Sequence, residues 1–330
     1  MSFKALPKVE LHLHIEGAAP PEFIRGLAKE KHVDLSGIFT DDGGYAYRDF
    51  SHFLEVYEAA TSVLKSPEDF GRLTKAVLED CAEAGVVYAE TFLSPDFCGG
   101  RDVGAWREYL AAIQEAAAEC ERDAGITLRG IVTAIRHFGP EPARETAICA
   151  QQTAGDFITG FGMGGDENAG KQGDFAYAFD MAREAGLRLT THAGEWRGPD
   201  EVRAALDDLK VERIGHGVRS IEDLTLVERL VEDDITLEVC PGSNVFLGVY
   251  PDLSAHPIAK LRERGVKVTV STDDPPFFRT DLVTEYENLS RQFGWETSDF
   301  NALNLTAIDA AFCDDATRAR VRKKLETQDV

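Results

Sequence analysis

Eight short apolar runs of strand length, each bounded by turn residues, recur along the 330-residue chain and constrain its fold more than any other feature. They read VELHLH (9–14), VVYAETF (86–92), TLRGIVTAI (127–135), FITGFGM (157–163), RLTTHAG (188–194), RIGHGV (213–218), ITLEVCP (235–241) and KVTVSTDD (267–274). Between them lie segments of helical period, such as GDFAYAFDMAREAG and HPIAKLRERG, several ending at the glycine that a helix C-cap favours. Strands alternating with helices predict a parallel sheet of the α/β class, and a count of eight predicts a closed (β/α)₈ or TIM barrel. A doubly wound open sheet fits less well, because no glycine-rich phosphate fingerprint follows the first run. No repeat, low-complexity tract or linker divides the chain, so residues 1–330 are read as one barrel domain.

One connection exceeds what a crossover requires. From about Pro20 to Glu83 the chain inserts helical material between the first and second strands, and YRDFSHFLEVYEAATSVL puts Phe50, Phe53, Leu54 and Tyr57 on one helix face. This insertion is expected to form a lid. The tail after about Asn301 is helical and highly charged (TRARVRKKLETQ), which reads as a solvated surface helix.

Charge narrows the partners. With 58 acidic against 35 basic residues the net charge is −23, which repels nucleic-acid phosphates and anionic lipid alike. No apolar run is long enough to span a bilayer and no leader-like segment opens the chain, so a cytoplasmic protein is expected. The six cysteines are scattered without a C-x-x-C pair, as reduced and packed thiols would be. A small neutral or cationic molecule is the expected partner; an oligomer is possible, but nothing indicates one.

In such a barrel the chemistry sits at the C-terminal ends of the strands. His12 and His14 close the first run two residues apart, so both imidazoles share one face of an extended chain. His192, His216, Asp273 and Asp274 fall at the same mouth from other runs. Three neutral imidazoles and a carboxylate suit Zn²⁺ with room for a water, so His12, His14, His192 and Asp273 are expected to hold one zinc ion. Zinc brings the pKa of a bound water to roughly 7. His216 is the candidate to take that proton, Glu195 the candidate to deliver one to the substrate, and Asp274 the candidate to position it. The fourth run offers no lysine before Lys171 to bridge a second metal, which favours one.

The segments LPKVELHLHIEGA, GMGGDE, THAGE, RIGHGV, LEVCPGSNV and VSTDDPP, in this order from residue 6 to residue 276, resemble the adenosine deaminase branch of the amidohydrolase superfamily. The resemblance implies a zinc-dependent barrel that hydrolyses the 6-amino group of a purine and releases ammonia. It implies the same four metal ligands, with Glu195 protonating purine N1, His216 assisting the water and Asp274 bonding N7. By the same resemblance the Gly165 backbone N–H serves N3, and Phe50, Phe53, Leu54 and Tyr57 gate a nucleoside. Glu16 stands where nucleoside deaminases carry an aspartate in contact with ribose, as the adenine branch often does. The GHG and GGDE segments resemble the nucleoside branch instead. Adenosine or 2′-deoxyadenosine is therefore the expected substrate, and adenine or an N6-alkyl or 5′-deoxy adenosine the alternative. Nucleic-acid deaminases with cysteine-ligated zinc are excluded, since their P-C-x-x-C signature is absent.

Overall fold

The eight runs become eight parallel strands in a computed structural model that describes residues 3–327. They are β1 (Lys8–His14), β2 (Val86–Leu93), β3 (Thr127–Ile135), β4 (Ile158–Gly164), β5 (Arg188–Ala193), β6 (Arg213–His216), β7 (Thr236–Val239) and β8 (Lys267–Val270). Each pairs with the next in chain order. The ring closes where His14 N–H donates to Asp273 O (3.1 Å) and Asp273 N–H donates to His12 O (3.0 Å). This is the (β/α)₈ barrel that the alternation predicts, its strands buried on both faces.

The last four strands, β5 to β8, end earlier than their sequence runs. β7 stops before Pro241, which has no N–H to give the ladder. β8 stops at Val270, and Asp273 lies beyond it with φ of 68°. A left-handed non-glycine residue at a strand end is strained backbone, and its carboxylate faces the barrel axis.

Strict alternation along β1 would put Lys8 and Glu10 inside with His12 and His14. Instead the pairing moves from Glu10↔Ala89 to Leu13↔Thr91, three residues against two, which is a bulge at Leu11 and His12. Below the bulge Val9 and Leu11 pack with Tyr88, Ala307 and Ile308 as an apolar floor. Above it the two imidazoles point inward, while Glu10 bonds the Thr272 backbone N–H at 2.9 Å.

Helix Pro67–Glu83 packs against the next crossover helix, Val103–Ala124, and is the ordinary β1–β2 crossover. The extra material is therefore shorter than the predicted insertion, comprising helices Pro21–Glu30 and Phe50–Thr61 and the loops around them. The second of these lies over the barrel mouth. The tail departs further from its expected role. Helix Asp315–Glu326 buries Val321 and Leu325 against the floor of the barrel, so its charges cover only its outer face. No helix among the described residues is long and apolar enough to cross a membrane.

Candidate metal centre

Strand ends bring His12, His14, His192 and Asp273 together as the sequence predicts, their ligand atoms all within 4.8 Å of one another. His12 Nε2 lies 3.0 Å and His14 Nε2 3.2 Å from His192 Nε2, while Asp273 Oδ1 stands 3.5 and 3.3 Å from His12 and His14. Donors bound at about 2.0–2.1 Å in a tetrahedron stand about 3.3 Å apart along its edges. The side-chain geometry therefore fits one divalent metal.

Outer partners fix which nitrogen faces the centre. His12 Nδ1–H donates to Glu238 Oε2 (2.8 Å), and His192 Nδ1–H donates to the Met163 carbonyl (2.9 Å). Both Nε2 lone pairs then meet at 3.0 Å, which only a cation between them makes favourable. Burial holds the imidazole of His192 far below its ordinary pKa and also lowers that of His14. Burial opposes charge on His12 as well, yet the bonds and charges of Asp273 and Glu238 prevail and raise it to about 9. Metal and proton therefore compete for His12.

Glu238 is in turn anchored by Arg213 Nε (2.6 Å) and Thr190 Oγ1 (2.8 Å), and Arg213 Nη2 reaches Glu90 Oε2 at 2.7 Å. Despite its burial, the Arg213 charge and the bond from His12 draw the Glu238 carboxyl down to about 2. Gly215 is required beside this network, because a Cβ there would lie 2.8 Å from the His12 ring. Glu238 escapes motif reading. Its one signal is a charged residue in the middle of an otherwise apolar strand.

Glu195 and His216 lie next to the metal ligands, His216 Nε2 being 3.7 Å from Glu195 Oε2 and 3.9 Å from Asp273 Oδ2. Burial, then the Asp273 charge, drives the Glu195 carboxyl well above its ordinary pKa, which favours its protonated form. Burial lowers His216 to about 3, leaving it neutral. The loop that carries Glu195 is pinned by Glu167, which accepts backbone N–H bonds from Gly194, Trp196 (2.6 Å) and Arg197 (2.8 Å). Glu167 sits in GGDE, a segment whose glycines alone drew attention in the sequence.

Asp274, Gly165, Phe50, Phe53, Leu54 and Tyr57 line one cavity with His14, His192, Glu195 and His216. Asp274 Oδ1 is buried there without a hydrogen-bond partner. Burial, then the charges of Asp273 and Glu16, raises its carboxyl well above the ordinary range. Gly165 has φ of 99°, and a Cβ on it would lie 2.7 Å from His137 Nδ1, so only glycine fits. Glu16 is placed differently from its companions. It is buried outside the cavity lining, and Tyr57 O–H donates to its Oε2 at 3.3 Å.

The barrel and the centre at its mouth define a metal-binding hydrolase of the amidohydrolase superfamily. The chain belongs to the adenosine deaminase family within it, whose model matches residues 7–328. It is 46% identical over 320 residues to an adenine deaminase of Agrobacterium fabrum, covering 97% of this chain and 98% of that one. Among solved structures, the adenine deaminase of Arthrobacter aurescens superposes with a TM-score of 0.89 at 32% identity, covering 98% and 99% of the two chains. The N6-methyl-AMP deaminase of Arabidopsis thaliana gives 0.86 at 26%, covering 99% and 98%. The protein is thus a deaminase, a hydrolase acting on C–N bonds, with a small purine as its partner. The relatives favour the adenine alternative over the adenosine expected from GHG and GGDE.

Proposed function

We propose that this deaminase hydrolyses the 6-amino group of free adenine, giving hypoxanthine and ammonia, with one zinc ion held by His12, His14, His192 and Asp273. The observation that carries this reading is the wall formed by Tyr57 and Glu16. The carboxylate that would serve a ribose hydroxyl lies off the cavity surface, with one of its oxygens accepting from the Tyr57 O–H, so it is turned away from the space a sugar would fill. Among the described residues no arginine or lysine lines the cavity, so a nucleotide phosphate would find no cation other than histidine. The close similarity to adenine deaminases supports the same reading.

When bound, zinc polarises a water toward the nucleophile that attack at C6 requires. The protein's own groups do the rest. Attack at C6 breaks the aromatic ring and builds charge on N1, where the protonated Glu195 can give up its proton. Asp274, the partnerless buried carboxyl, bonds N7, and the Gly165 N–H serves N3. His216 stands beside the water's position, between Glu195 and Asp273. Phe50, Phe53, Leu54 and Tyr57 cover the ring and exclude bulk water.

Ammonia release by zinc-loaded protein offered adenine, adenosine, 2′-deoxyadenosine, N6-methyladenine and AMP in parallel tests the reading. Adenine is expected to be turned over with the highest kcat/KM. Preference for a nucleoside or for AMP overturns it.

A further inference from the structure

Behind His216 runs a chain of buried hydrogen bonds that the proposed reaction does not use. It starts at a donor whose direction is fixed, the backbone N–H of Ile258, which donates to His256 Nδ1 at 3.2 Å. A ring nitrogen that accepts carries no proton, and burial keeps His256 neutral by lowering its pKa to about 3, so its proton sits on Nε2. That N–H points to Asn244 Oδ1 at 3.2 Å. The Asn244 amide is thereby oriented, and its Nδ2 faces His216 Nδ1 at 3.2 Å. The same Nδ2 reaches Glu195 Oε1 at 3.5 Å. His216, His256 and Asn244 are each 2% exposed or less, so water does not compete for these bonds.

We propose that Asn244 and His256 are positioning residues that lock His216 with its proton on Nε2, so that His216 meets the attacking water as a hydrogen-bond donor rather than as its base. The relay reads from one backbone amide to the reacting centre: Ile258 N–H to His256, His256 to Asn244, Asn244 to His216. Its last member aims an N–H into the gap between Glu195 and Asp273. This gives His216 a different part from the one expected from the sequence, since a nitrogen that faces the centre with its proton has no lone pair to accept another. A donor at that point holds the water oxygen in place and leaves the water's own hydrogens turned toward the Asp273 carboxylate, which would take the proton lost on attack while Glu195 gives its own to N1. The strained backbone at His216, with φ of 59°, is a further sign that its ring orientation is imposed. The chemical consequence rests on the deamination proposed above; the tautomer does not.

The test uses zinc-loaded protein with ¹⁵N-labelled imidazoles, where the two ring nitrogens of a neutral histidine resonate apart according to which one carries hydrogen. The His216 ring is assigned by its loss in His216→Gln. The expected spectrum shows His216 protonated on Nε2, and Asn244→Asp, which offers only acceptors, moves that proton to Nδ1. A wild-type His216 protonated on Nδ1, or an Asn244→Asp ring still protonated on Nε2, overturns the proposal. In parallel, His256→Leu is expected to lower kcat on adenine about 10- to 100-fold with little change in KM, the usual effect of removing an outer-shell partner. His256→Gln, whose amide can both accept from Ile258 and donate to Asn244, is expected to restore most of the loss. Equal losses in the two variants count against the relay. Failure of wild-type protein to deaminate adenine overturns the substrate assignment and leaves the tautomer result standing.

Discussion

Replacing Glu238 with glutamine changes one oxygen to an amide nitrogen at a point where three donors converge on two acceptors. Glu238 Oε2 accepts from His12 Nδ1 at 2.8 Å, and Oε1 accepts from Arg213 Nε at 2.6 Å and Thr190 Oγ1 at 2.8 Å. Glutamine has a single carbonyl oxygen and must choose. If it faces His12, its NH₂ meets the Arg213 N–H, and a buried cationic donor goes unsatisfied at a cost of about 1–3 kcal/mol. Arg213 keeps Glu90 at 2.7 Å, so the loss stays below the about 3–5 kcal/mol of a fully broken buried pair. If the NH₂ faces His12 instead, the His12 proton must move to Nε2 and block the metal. Either way zinc affinity is expected to fall about 10- to 100-fold, or about 1.4–2.7 kcal/mol, with stability lower by about 2 kcal/mol. Competition for zinc against a chromophoric chelator and equilibrium urea unfolding measure the two effects. A folded Glu238→Gln protein with unchanged zinc affinity would refute the claim that Glu238 orients His12.

His192→Ala is expected to lose stoichiometric zinc, checked by metal analysis after gel filtration, because it removes one of the four side chains that converge on the centre. Glu195→Gln should keep its zinc and lose at least about 100-fold in kcat, as expected for a general acid. Since burial raises the Glu195 carboxyl above its ordinary pKa and its acid form is the active one, kcat/KM on adenine should fall as pH rises through that pKa. A pH profile that stays flat on the alkaline side would contradict this. Tyr57→Phe frees the Glu16 carboxylate from its one side-chain donor and should narrow the preference for adenine over adenosine, read as the ratio of their kcat/KM values.

The barrel was legible because its strands are buried on both faces, which writes each as a continuous apolar run between turn residues. The metal ligands were legible because histidine and aspartate at strand ends have few other reasons to coincide. The β1 bulge was not, since it depends on Leu11 and His12 standing together against the single residue between Ala89 and Thr91 rather than on their identity. Nor was the burial of Val321 and Leu325, two apolar residues in a tail whose composition is otherwise that of a solvated helix. Glu238, Glu167, Asn244 and His256 act through partners 12 to 226 residues away or through a backbone amide, and no local spacing announces such bonds. The relatives favour adenine over the expected adenosine. The GHG and GGDE segments lie on the metal side and beside the loop around Glu195, whereas the sugar-side determinant proposed above is a contact between Tyr57 and Glu16, 41 positions apart.

The central claim, that four side chains hold one catalytic zinc serving free adenine, is met most directly by titrating zinc into chelator-stripped protein while following adenine deamination. The account expects negligible turnover without metal and a linear rise that breaks at one zinc per chain. Full activity in stripped protein, or a break at two equivalents, would contradict it.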